Sequence, residues 1–195
     1  MQIIDWIFIL LIFVGSMGLL LSRRWRSSVI FLAIQYVGVF YIITQIWPIY
    51  LAIIKLISGL VVCLVLLTTQ SGSSSYSNPE SSWPEGRLFR IFASGLILIT
   101  TLAITPLTSK WLGLENRSGI FTGLFLMCLG LLQLGITIRP IRVIIALLTL
   151  LSGFEIMYAF VETSSLVATI LVAINLGLAL VGIYLINPSI QETSR

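Results

Sequence analysis

Apolar stretches of about twenty residues follow one another along this chain, and nearly all of its arginines fall in the short segments between them. A helix rising 1.5 Å per residue needs about that length to cross roughly 30 Å of hydrocarbon. Helix is also the open-chain form that satisfies every backbone donor and acceptor within one segment. The expected class is therefore an all-α integral membrane protein of about seven transmembrane helices. Only 9% of the 195 residues are charged and 58% are hydrophobic, which leaves too few charges to cover the surface of a soluble domain.

The spans are expected over Ile3–Leu21, Ser28–Ile46, Ile49–Leu67, Leu88–Pro106, Gly119–Ile138, Ile141–Val161 and Ser164–Ile186. Pro48 and Pro140 stand at helix starts, where a missing N–H costs little, and Pro188 marks the last stop. Residues 68–87 (TTQSGSSSYSNPESSWPEGR) are rich in Ser, Gly and Pro and read as a solvated cytoplasmic linker. Residues 107–118 read as a short polar connection. The first three-helix unit is then 1–67, the connector helix and loop 88–118, the second three-helix unit 119–187 and the tail 188–195.

Charge fixes the expected orientation. With the N-terminus outside, Arg23, Arg24, Arg26, Arg87, Arg90, Arg139, Arg142 and Arg195 lie inside, and Lys110 and Arg117 lie outside. That split favours an N-out, C-in chain with an odd number of spans. Trp6, Trp47, Trp83 and Trp111 fall near the expected interfaces, as aromatic belts do. The acidic Asp5 and the lack of a basic segment before the first apolar run argue against a cleavable signal. The net charge of +4 is accounted for by these flanking arginines and does not point to nucleic acid.

Residues 17–69 and 133–187 share one plan: apolar helix, arginine cluster, apolar helix, tight turn, apolar helix. Arg26 matches Arg142, Tyr41 lies near Tyr158, Gln45 near Glu162 and Gly59 near Gly177. An odd number of helices per unit plus one connector makes the two units parallel, unlike the inverted repeats of many transporters. Duplication and convergence among apolar helices both account for the likeness.

Few polar residues remain inside the spans, and a charge there costs at least about 2.5–3.5 kcal/mol. Glu155, in SGFEIMY, lies deep in the sixth span beside Ser152 and Gly153, small residues that admit a close neighbour. It reads as a proton carrier or as a protonated hydrogen-bonding group between helices. Lys55, in the third span, is shallow enough to snorkel to the interface; turned inward, it either gives up its charge more readily or pairs with a carboxylate. Glu162 follows Glu155 by seven residues on about the same face and is either a second relay or a solvated helix end. Asn175, Gln35 and Gln133 are candidates for a water chain or for interhelical hydrogen bonds. Arg139 and Arg142 flank the inner end of the sixth span, where they touch lipid phosphate or guide protons. Cys63 and Cys128 sit in apolar runs with no metal-ligand spacing. There is no histidine, and no nucleotide-binding loop or catalytic triad, so no cofactor, metal site or catalytic site is expected.

The segment Ile138–Leu185 resembles the second and third helices of the small K-type subunit of respiratory complex I, itself similar to the C subunit of multisubunit sodium/proton antiporters. The resemblance rests on Gly153-Phe154-Glu155-Ile156-Met157 after a basic turn and on Gly177-Leu178-Ala179-Leu180 in the last helix. The whole chain is similar to the larger hydrogenase-4 component E type, whose third helix carries a lysine matched here by Lys55 in Ile54-Lys55-Leu56. The resemblance implies a noncatalytic subunit of a proton-pumping respiratory complex in an energy-transducing inner membrane, with antiporter-like membrane subunits as partners. Glu155 would carry protons between half-channels, with Lys55 as a second relay or charge partner. A structural or assembly subunit and an independent small ion transporter are the competing expectations.

Overall fold

The computed structural model describes residues 3–22, 25–71, 87–114, 116–137, 139–162 and 164–186, and the backbone alone at 3–5, 25, 69–71, 87 and 186. These residues form seven helices and no strand: α1 (Ile3–Leu21), α2 (Trp25–Thr44), α3 (Ile49–Ser71), α4 (Arg87–Leu112), α5 (Arg117–Ile136), α6 (Pro140–Val161) and α7 (Ser165–Ile186). Six of them, α2 to α7, are long and apolar enough to cross a membrane, and Trp6–Leu21 of α1 is a shorter apolar helix. The readings for Arg23, Arg24, Trp83, Pro188, Arg195 and the Asp5 and Arg87 side chains, with residues 72–86 of the linker and the tail, lie outside the described residues.

Two expected boundaries are corrected. The fourth helix does not end at Pro106 but runs on to Leu112 with the proline inside it. A proline in a long apolar helix removes one hydrogen bond without ending the helix when every alternative leaves more backbone unpaired. The connection placed at 107–118 shrinks accordingly to a few residues around Gly113. Gly113 has φ +65°, its N–H donates to Lys110 O at 3.3 Å, and Leu114 N–H donates to Ser109 O at 3.1 Å. Those are the two bonds of a Schellman stop, which needs the left-handed backbone that glycine supplies. Asn116 then caps α5, its Oδ1 accepting from Gly119 N at 3.2 Å. The linker's first residues, Thr68–Ser71, also continue α3 as helix.

α2 packs against α6, α3 against α7 and α1 against α5, while α4 lies on α5 and α1. The closest seam is α5 with α6. A Cβ added at Gly153 would sit 2.6 Å from Met127 N and 2.7 Å from Gly123 O, so the two backbones meet only because that position carries no side chain. Gly177 has nothing within 4 Å of an added Cβ and contributes no such contact.

The interior is layered along the helix axes. At one end Val29, Leu32, Val62, Leu66, Ile144, Leu148 and Ala179 form an apolar cluster with their neighbours. At the other, Ile12, Val39, Ile43, Leu51, Ile156, Ala159 and Ala168 form a second. Between them lies a polar layer of Lys55, Ser58, Ser152, Glu155 and Asn175, all buried, roofed by Tyr36 from the first cluster. The outside is the reverse: Leu88, Phe92, Leu96, Trp111, Leu166 and Leu180 are each about two-thirds exposed or more. Polar groups inside and apolar groups outside are compatible with a multi-pass membrane protein.

Candidate functional site

The central pair is built by two helix depths. Lys55 stands six residues after Ile49, the start of α3, and Glu155 six residues before Val161, the end of α6. Both helix ends lie at the same end of the bundle, so each side chain sits about 9 Å in from it. The Lys55 ammonium donates to Glu155 Oε1 and lies against Oε2 as well. Lys55 is 5% exposed and Glu155 2%, so the lysine turns inward and does not snorkel. Oε2 makes no other hydrogen bond.

Around the pair stand groups from two further helices. Tyr36 of α2 lies with its ring centroid 5.6 Å from Lys55 Nζ, a cation–π distance. Its ring rests where a Cβ on Gly59 would be 2.9 Å away, so a glycine on α3 makes room for it. The Tyr36 hydroxyl donates to Asn175 Oδ1 of α7 at 3.4 Å, and Ser152 is within reach of the same hydroxyl. Asn175 Nδ2 has no hydrogen-bond partner among the described residues. Four helices thus send Tyr36, Lys55, Glu155 and Asn175 into one layer.

A cavity of about 170 Å³ leads to the pair, lined by apolar side chains of α2, α3 and α7 with Thr169, Lys55 and Glu155. Ile54 and Thr169 on its walls are exposed, so it opens toward the outside of the bundle. Its volume holds several waters at roughly 30 Å³ each, and the two charged groups supply the polar partners a water needs. On the far side of the polar layer the first apolar cluster is closed by fully buried Leu32, Val62, Leu66 and Leu148. Among the described residues, then, the pair is reached from the cavity side and covered on the other.

Sequence reasoning singled out Glu155, Lys55 and Asn175, and the structure brings all three into this layer. Glu162 is elsewhere: it is exposed at the C-cap of α6, about two turns above Glu155, and does not line the cavity. Its backbone carbonyl accepts the Trp47 indole N–H at 3.3 Å. Trp47 is itself a correction, being 5% exposed and part of the cavity wall, not of an interfacial belt. The bond pins the α2–α3 turn to the α6–α7 turn beside the cavity. Gln35 lies between α1 and α2, where Ser16 Oγ donates to its Oε1 at 3.5 Å, and Gln133 lies near the basic end of the bundle. Tyr36 is absent from the sequence-based candidates, since one tyrosine in an apolar helix carries no mark; the facing Gly59 is its only trace in the sequence. Among the described residues no three acidic, Cys or His side chains cluster to hold a metal. Neither family models, curated proteins nor solved structures gave a match to this chain.

Proposed function

We propose that this chain is a membrane subunit of a proton-translocating complex and that Glu155 is its proton carrier. One observation carries the reading: an acid and a base 100 residues apart in sequence meet, buried, at the floor of a cavity that opens toward the outside of the bundle. A proton arriving through the cavity neutralises the Glu155 carboxylate and removes the partner of the Lys55 ammonium. Isolating that charge is costly in an apolar interior, so the ammonium moves toward the Tyr36 ring and the Asn175 carbonyl oxygen. When Glu155 passes its proton on past Asn175 toward the far side, instead of back to the cavity, the ion pair re-forms. The pair has two arrangements, and the apolar cluster beyond it prevents a continuous leak.

In this reading all seven helices cross an inner, energy-transducing membrane, N-terminus out. Arg26, Arg90, Arg139 and Arg142 then face the cytoplasm and the cavity opens toward the outer side. The two three-helix units are parallel, which is supported by the pairing of α1 with α5, α2 with α6 and α3 with α7. Glu155 belongs to the second unit only, because Val39 occupies the corresponding place in the first. The resemblance to hydrogenase-4 component E and to K-type subunits supplies the setting: electron transfer in other subunits, antiporter-like subunits alongside, and no catalytic or cofactor site in this chain. Glu162 collects protons at the outer surface beside Trp47, and Asn175 holds the deeper end of the path.

The test is proton uptake by native membrane vesicles carrying the whole complex. With uptake expressed per chain present, Glu155→Gln abolishes it, and so does the neutral Lys55→Met/Glu155→Gln double variant, which leaves no unpaired buried charge. Normal uptake by either variant ends the reading and leaves a structural role for the pair.

A further inference from the structure

A second polar site lies at the opposite, basic end of the bundle. A small notch of about 30 Å³ is lined by Ser28, Arg90, Gln133, Thr137 and Arg142 among apolar residues. Two guanidinium groups are held there by the end of α1: Arg90 Nη1 donates to Leu20 O and Arg142 Nη2 to Ser22 O, each at 3.2 Å. The terminal carbonyls of a helix have no partner within it and carry the negative end of its dipole, so they orient both cations. A guanidinium has five N–H donors, and Arg90 uses one of its own in this bond.

Two donors are left over. Arg90 Nε and Gln133 Nε2 are buried and have no hydrogen-bond partner among the described residues, and Gln133 is 8% exposed. Among the described residues no acid lines the notch. Its charged groups are all donors, and a buried amide N–H without an acceptor is destabilising. An anionic acceptor is the chemical complement of this set of donors. We propose that this notch binds a phosphate oxygen, presented by the headgroup of an anionic phospholipid or by a free phosphate. The volume is about one water's share, so a single oxygen enters while the rest of the group stays at the mouth. A phosphodiester tethered outside fits that shape. The lipid source rests on the membrane reading above; the phosphate site itself does not.

The purified chain in detergent is titrated with dihexanoyl phosphatidylglycerol, with dihexanoylglycerol, which has the tails and no phosphate, as the control lipid, and with inorganic phosphate, and bound ligand is read by native mass spectrometry and thermal shift. Phosphatidylglycerol is expected to bind the wild type, and Arg90→Gln to weaken it by about tenfold, the worth of one charge-assisted hydrogen bond. Gln133→Leu removes an unpaired donor, so it weakens the ligand similarly while leaving the unliganded protein at least as stable as wild type. The same pattern with inorganic phosphate upholds the site and names a free anion as its source. Equal binding of both lipids, binding indifferent to both substitutions, or no binding of any of the three overturns the proposal.

Discussion

Lys55 of α3 and Glu155 of α6 form a buried ion pair at equal depth from one end of the bundle, six residues in from Ile49 and from Val161 respectively. The pair joins helices from the two halves of the chain, so it ties the halves together as well as holding charge.

Removing one member leaves the other without its counter-charge. Lys55→Met is expected to destabilise the protein by about 3–5 kcal/mol, whereas Lys55→Met/Glu155→Leu, apolar at both positions, recovers most of that loss. Thermal unfolding of the two variants in detergent, with Glu155→Leu closing the cycle, measures the coupling. Additive losses would mean the two side chains do not interact.

Gly153 in the α5–α6 seam and Gly177 on α7 are expected to respond oppositely to a methyl group. Gly153→Ala forces a methyl against Met127 N and Gly123 O, backbone atoms that cannot rotate away, and is expected to cost about 1–3 kcal/mol. Gly177→Ala meets nothing within 4 Å and is neutral or stabilising by up to about 1 kcal/mol. Melting temperatures of the two purified variants decide this.

Tyr36→Phe keeps the ring beside Lys55 and against Gly59 and deletes only the hydroxyl that donates to Asn175. A hydrogen bond of about 0.5–1.5 kcal/mol corresponds to a roughly two- to tenfold slower proton flux at unchanged protein level. An unchanged flux would remove Tyr36 and Asn175 from the path.

One-sided access is testable by thiol labelling in a Cys63→Ala/Cys128→Ala background. Leu171→Cys, on the cavity wall, is expected to react with a small charged methanethiosulfonate reagent from the outer side. Leu66→Cys, in the closed apolar cluster, is expected to stay unreactive from both sides. Labelling at Leu66→Cys would mean that the polar layer is open through to the basic end.

The helices are legible in the sequence because hydrocarbon thickness and backbone hydrogen bonding leave few choices of length. The stop of α4 is less so: Pro106 reads as a terminus, yet the stop is Gly113, whose left-handed backbone completes the Schellman bonds. Trp47 shows the same limit, since an indole near a helix end belongs equally well to an interfacial belt or to a cavity wall until its hydrogen-bond partner, here Glu162 O, is known. Glu155 and Lys55 stand out because charge in an apolar helix is costly, and their equal depth from the helix ends is a pairing signal carried by the amino-acid order itself. Tyr36 and the notch at Arg90 and Gln133 depend on contacts between helices remote in sequence, and no local pattern encodes them.

The central claim is that Glu155 trades protons with water through the cavity. Infrared difference spectroscopy of the lipid-embedded protein, with the perfusing buffer stepped reversibly between acid and alkaline pH, reads this directly. The account predicts a carboxylic C=O band that appears on the acid step, disappears on the alkaline step and is missing from Glu155→Gln. A Glu155→Gln spectrum identical to wild type would contradict it.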